Sequence, residues 1–145
     1  MKSVTMARAN EVWALGKELS GGFGLWGTID QLTSLDGFTE WKRLAVVEGW
    51  INGARSLGFT DTDAAALGDW RIGRHFVDTA SFWNLDPPEV VRKKAQKAAV
   101  DAISYAVKDE GGIAEVKRQL VLNYTNYYPV SYANRLGRTP SVRRE

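Results

Sequence analysis

His75 is the chain's single imidazole, in the stretch GDWRIGRHFVD, and Asp78 follows three residues later. On a helix that spacing puts the two side chains on neighbouring turns. A carboxylate beside a histidine can orient it as a general base. The base would still need something to activate. No serine stands in a nucleophile motif, and the chain has no cysteine. The favoured reading of His75 is therefore a partly buried histidine with a satisfied hydrogen bond. The second group that invites a chemical reading is Glu18, a carboxylate just ahead of the glycine-rich segment GGFGLWGTID.

A glutamate at a helix end, followed by a loop and then Gly24-Leu25, resembles the lysozyme-like transglycosylases, whose loop leads into Gly-Leu-x-Gln-Ile, over about ten residues. The resemblance implies cell-wall hydrolysis with Glu18 as general acid. The sequence departs from the family's pattern in three ways. Its loop is several residues shorter, Gly27 stands where the family carries glutamine, and no second acid is placed.

Residues 58–83 can also be arranged as a helix-turn-helix. Thr62 to Leu67 would form the first helix, Gly68-Asp69 the turn, and Trp70 onward a recognition helix presenting Arg71, Arg74 and His75 to a groove. Asp61, Asp63 and Asp69 crowd the same region and would repel phosphates, while Trp70 and Phe76 read as core. Nucleic acid is thus a possible partner but not the favoured one.

The last sixteen residues, 130–145, are polar and basic and lack apolar periodicity. Tyr127, Tyr128 and Tyr132 with Arg135, Arg138, Arg143 and Arg144 are residue types enriched where proteins bury one another. Six tryptophans are more than one small core needs, so part of this aromatic content is expected on a contact surface. Lys93 and Lys94, with Arg92 and Lys97 beside them, form a second basic cluster that could meet an acidic partner. The plainer reading of that cluster is a solvated helix face.

Composition narrows the field. The chain has 145 residues, 44% hydrophobic and 25% charged, the proportions of an ordinary globular domain. Net charge is +2 but uneven. Residues 1–86 carry 8 basic and 11 acidic side chains, net −3, and residues 87–145 carry 11 and 6, net +5. A basic end of this kind suits an acidic partner, including the other half of a second copy. Without cysteine there are no disulfides, thiol chemistry or cysteine metal sites. No stretch approaches the ~20 apolar residues of a membrane span, and the start carries no apolar signal-peptide region. The expectation is a cytoplasmic or virion-internal protein with no membrane, metal or cofactor.

The elements that must position these residues are helical throughout. Residues 86–112, DPPEVVRKKAQKAAVDAISYAVKDEGG, show the clearest signals. Asp86 reads as the N-cap, Glu89 as its capping-box partner, and Gly111-Gly112 as the stop. Val91, Ala95, Ala98, Ala99, Ala102, Tyr105 and Ala106 make one face, mostly alanine, that a neighbouring helix can approach closely. Met6 to Leu19 reads as a first helix, with Val12, Trp13, Leu15 and Leu19 buried. Thr28 or Asp30 should cap a short turn through Leu35. Thr39 caps a helix from Glu40 to Leu57, expected to be the most buried. Further segments run from Asp63 to about Trp83 and from Ile113 to about Tyr128. The sum is an all-α domain of about five helices over residues 1–129, with an extended C-terminal arm over 130–145. The functional expectation is a non-enzymatic assembly or structural subunit, of a phage particle or other large complex. It would contact protein, either itself or another subunit, through Tyr127, Tyr128, Tyr132, Arg135, Arg138, Arg143, Arg144, Lys93 and Lys94.

Overall fold

Thr39 starts the helix against which most of the chain packs: its hydroxyl accepts from the Lys42 amide at 3.3 Å, and Glu40 places a carboxylate in the first turn. The computed structural model describes residues 4–21, 24–69, 76 and 83–125. These form α1 (Met6–Ser20), α2 (Gly24–Gln31) running into a 3₁₀ turn at Leu32–Ser34, α3 (Glu40–Ser56), α4 (Asp61–Asp69), α5 (Pro88–Glu110) and α6 (Ile113–Asn123). No strand occurs among the described residues. The chain is an all-α bundle, as its periodicity indicates. The expected boundary at 129/130, and the arm beyond it, lie outside the described residues.

α3 and α5 are in intimate contact. Position 49 comes so near α5 that an added Cβ would lie 2.8 Å from the Arg92 carbonyl and 2.8 Å from the Gln96 amide. At position 53 it would lie 2.6 Å from the Ala99 Cβ. Gly49 and Gly53 on α3 thus face Ala95 and Ala99 on α5, small residues four apart on both sides. Because the numbering rises together on the two helices, they run parallel. The alanine face does admit a neighbouring helix backbone. Its limits differ from the expectation in one respect: Tyr105 is 75% exposed and Ile103 is buried in its place. Ile103 lies about 40° from Ala99 around the helix and Tyr105 about 120°, so the tyrosine leaves the seam.

The start of α5 also departs from the expectation. Pro87, extended at ψ 159°, is the flanking residue, and Pro88 opens the helix. The Pro87 carbonyl takes the first helical bonds, from Val90 and Val91. The helix thus starts one residue later than expected, and Asp86 lies ahead of the cap position. Its carboxylate instead accepts from Lys94 Nζ at 2.7 Å. At the other end Gly111, at φ 100°, closes the helix as expected, with the Gly112 amide donating back to the Val107 carbonyl at 2.8 Å.

α4 is the most completely enclosed element, buried from Asp61 to Gly68; α3 keeps an exposed first turn. A reciprocal capping box starts α4. The Thr60 amide donates to Asp63 Oδ2 at 2.9 Å, and the Asp63 amide donates to Thr60 Oγ1 at 3.1 Å. Two indoles pin its middle from different elements. Trp50 Nε1 of α3 donates to the Ala64 carbonyl and Trp26 Nε1 of α2 to the Ala65 carbonyl, each at 2.8 Å. Trp26 lies directly against Gly16 of α1 and Gly68 of α4, where any larger side chain would collide with its ring.

α2 is a full helix, not the single turn expected. Thr28 caps nothing, because its hydroxyl donates to the Gly24 carbonyl one turn back, at 2.8 Å. Leu25, Trp26 and Ile29 fall on the buried side. In α1, Val12 and Leu15 are buried as expected, while Trp13 and Leu19 are partly buried and pack on the core. Val116 and Leu120 of α6 are buried, but Ile113 is exposed at its first position. Phe76 joins Trp50 edge to face at 4.8 Å and Trp83 at 6.0 Å, completing an aromatic core.

Candidate contact surface

Some of the charged side chains in and near the interior hold helices together. Asp61, buried at the start of α4, receives Arg55 of α3 in a two-pronged pair at 2.8 and 2.8 Å, and Arg8 of α1 stands 3.7 Å away. Arg43 is buried on α3. It pairs with Glu40 and lays its guanidinium over the Trp13 ring at 3.9 Å, while Lys17 Nζ sits 4.2 Å from the same ring. The Arg43 bond holds the Glu40 carboxyl below its usual range. At the end of α6 the Tyr124 hydroxyl donates to Asp69 at the end of α4. Burial first, and this anionic partner second, push the Tyr124 hydroxyl well above its ordinary value.

The basic cluster on α5 is largely answered from within. Arg92 reaches Glu48 at 3.3 Å, Lys94 reaches Asp86, and Lys97 reaches Asp101 at 3.3 Å. Lys93 is exposed and makes no ion pair among the described residues. Of the three bases near the positive end of α5, Arg92 and Lys94 are thus answered by Glu48 and Asp86, and the first-turn Glu89 favours the helix dipole.

The surface feature that stands apart is apolar. Leu85 is 85% exposed and Trp41 61% exposed, with Leu35 exposed nearby. Polar ties fix the corner that presents them. Lys42 Nζ donates to the carbonyls of Gly37 and Asn84, both at 2.7 Å, and Asn84 Nδ2 donates to the Asp36 carbonyl at 2.8 Å. Gly37 is required there: at φ 83° it lies so close to the Asn84 carbonyl that an added Cβ would stand 2.8 Å from the oxygen. Trp41 stands in the exposed first turn of α3, about 80° around the helix from Gly49 and so off the line that faces α5. Asp36 and Glu89 are exposed at this corner and form no ion pair among the described residues. A second exposed apolar stretch, Val121 and Leu122, closes α6 and leads toward residues 126–145.

The residues expected to make contact are distributed as follows. Lys93 and Lys94 lie on the outer side of α5. Tyr127, Tyr128, Tyr132, Arg135, Arg138, Arg143 and Arg144 lie outside the described residues, as do Arg71, Arg74, His75 and Asp78. Glu18 is exposed in the last turn of α1. Among the described residues no group of three or more histidines and acids could hold a metal. No described helix is long and apolar enough to cross a membrane. Sequence reasoning missed Leu85 and Trp41 as surface residues. The signal for Leu85 was present, since an isolated leucine between Asn84 and Asp86, ahead of two prolines, belongs to no apolar stripe. Comparison with protein families, with curated proteins and with solved structures finds no match to this chain.

Proposed function

We propose that this protein is a non-enzymatic assembly subunit, of a phage particle or another large complex, and that its C-terminal arm and exposed aromatics are its contact surface. The observation that carries this reading is the corner at Leu35, Trp41 and Leu85. Large apolar side chains stand in solvent there on a backbone held by cross-ties, while the buried charges nearby serve packing. Large apolar side chains left in solvent near one another are candidates for an interaction site. The arm adds aromatic and arginine side chains, the types that anchor protein contacts. The test is solution mass by light scattering, with and without residues 130–145. The full chain should run as a multimer and the shortened chain at a lower mass. An unchanged mass on removal of the arm would refute its role.

A further inference from the structure

We propose that the Leu35–Trp41–Leu85 corner of one copy is the seat for the C-terminal arm of a second copy; this rests on the assembly reading above. Three observations favour that occupant. The first is chemical fit. The corner offers an indole and two leucines flanked by Asp36 and Glu89, exposed acids with no ion pair among the described residues. The arm offers Tyr127, Tyr128 and Tyr132 followed by Arg135, Arg138, Arg143 and Arg144, so its apolar and basic groups occur in an order that could fill the corner and then reach the acids. The second is the quantity of chain. Residues 126–145 continue from an α6 terminus whose Val121 and Leu122 are already exposed, and a segment of that length supplies about the 20–30 residues a side that stable interfaces use. The third is charge distribution. The corner belongs mainly to the half of the chain with net −3, and the arm to the half with net +5.

Donor and acceptor share no residue, so the contact is two-sided. Each copy gives an arm and receives one. Such an arrangement closes as a reciprocal pair or a ring, or extends as a filament. Lys42, the base nearest the seat, is held by two carbonyls, and Lys94 is neutralised by Asp86. Neither is aimed at the incoming arginines.

The experiment uses two variants of the full protein, followed by light scattering. One carries Trp41→Ser with Leu85→Ser, and the other lacks residues 130–145. Both changes lie at exposed or terminal positions, and circular dichroism melting checks that each variant folds. An independent pair, Asp36→Lys with Glu89→Lys, attacks the same seat through charge alone. Each defective variant by itself should run as a single chain. Mixed in equal amounts, the seat variant and the armless variant should form a species of twice that mass and no larger, because one intact arm and one intact seat remain. If the seat variants keep the wild-type mass while loss of the arm reduces it, the assembly reading stands and the seat is overturned. Failure of the mixture to pair overturns the second copy as occupant. A wild-type protein that runs as a single chain overturns the assembly reading itself.

Discussion

Tyr124 is the residue whose ionisation bears most directly on stability. It is half-buried, and its hydroxyl donates to Asp69, so the neutral form is favoured in the folded chain and its titration is displaced upward from an ordinary value of 10.0. A group raised on folding gives stability that is fully present below its unfolded value and is lost as pH climbs through the folded one. The chain should therefore hold its stability to about pH 10 and weaken beyond it. Tyr124→Phe should flatten that alkaline decline in urea melts taken from pH 8 to 11. At neutral pH the same change should cost about 1 kcal/mol, the net worth of the hydrogen bond. A second residue-scale prediction concerns Trp26. Trp26→Phe removes the donor to the Ala65 carbonyl and leaves space between Gly16 and Gly68. Urea denaturation should show a loss of about 1–3 kcal/mol.

Elements meet in this fold through small residues, and the seam between α3 and α5 is one such close approach. Alanine is the better helix former by about 1 kcal/mol, so Gly49→Ala would stabilise an isolated helix. Here the new methyl would meet the α5 backbone at Arg92 and Gln96 as well as Ala95. The net effect should be destabilising by about 1–3 kcal/mol in chemical denaturation. Adding Ala95→Gly should restore only part of this, because the backbone contacts remain. At the start of α4, Asp61→Asn takes the anionic partner from Arg55 and Arg8 and should cost about 1.5–3 kcal/mol. Much of this level was legible beforehand. Thr39 as a cap, Gly111 as a stop and the alanine seam follow from local chemistry and period. The misread positions turned on partners invisible to local pattern. Asp86 lies one residue ahead of the cap and pairs with Lys94 instead. Thr28 lies inside a helix whose reality depends on Trp26 finding a slot between α1 and α4.

For the whole molecule, charge and aromatic content pointed to an arm-bearing subunit, and the body of the fold adds a surface the arm could engage. Removal of residues 130–145 should lower the solution mass while leaving the helical circular dichroism of residues 4–125 essentially intact. Leu85 was legible as a leucine outside any apolar stripe, but Trp41 was not, because an aromatic side chain in the first turn of a helix reads the same whether or not a neighbour covers it.

The parallel course of α3 and α5 has a bearing on biogenesis. Helices that run the same way cannot be joined by a tight hairpin, so α4 and the chain up to Pro87 must be spelled out before the second strip of small residues exists. A nascent polypeptide leaving the ribosome would hold Gly49 and Gly53 without their mates until Ala95 and Ala99 had cleared the exit tunnel. Folding should therefore be slower than in an up-and-down bundle of equal size, where neighbouring helices are mostly adjacent in the chain.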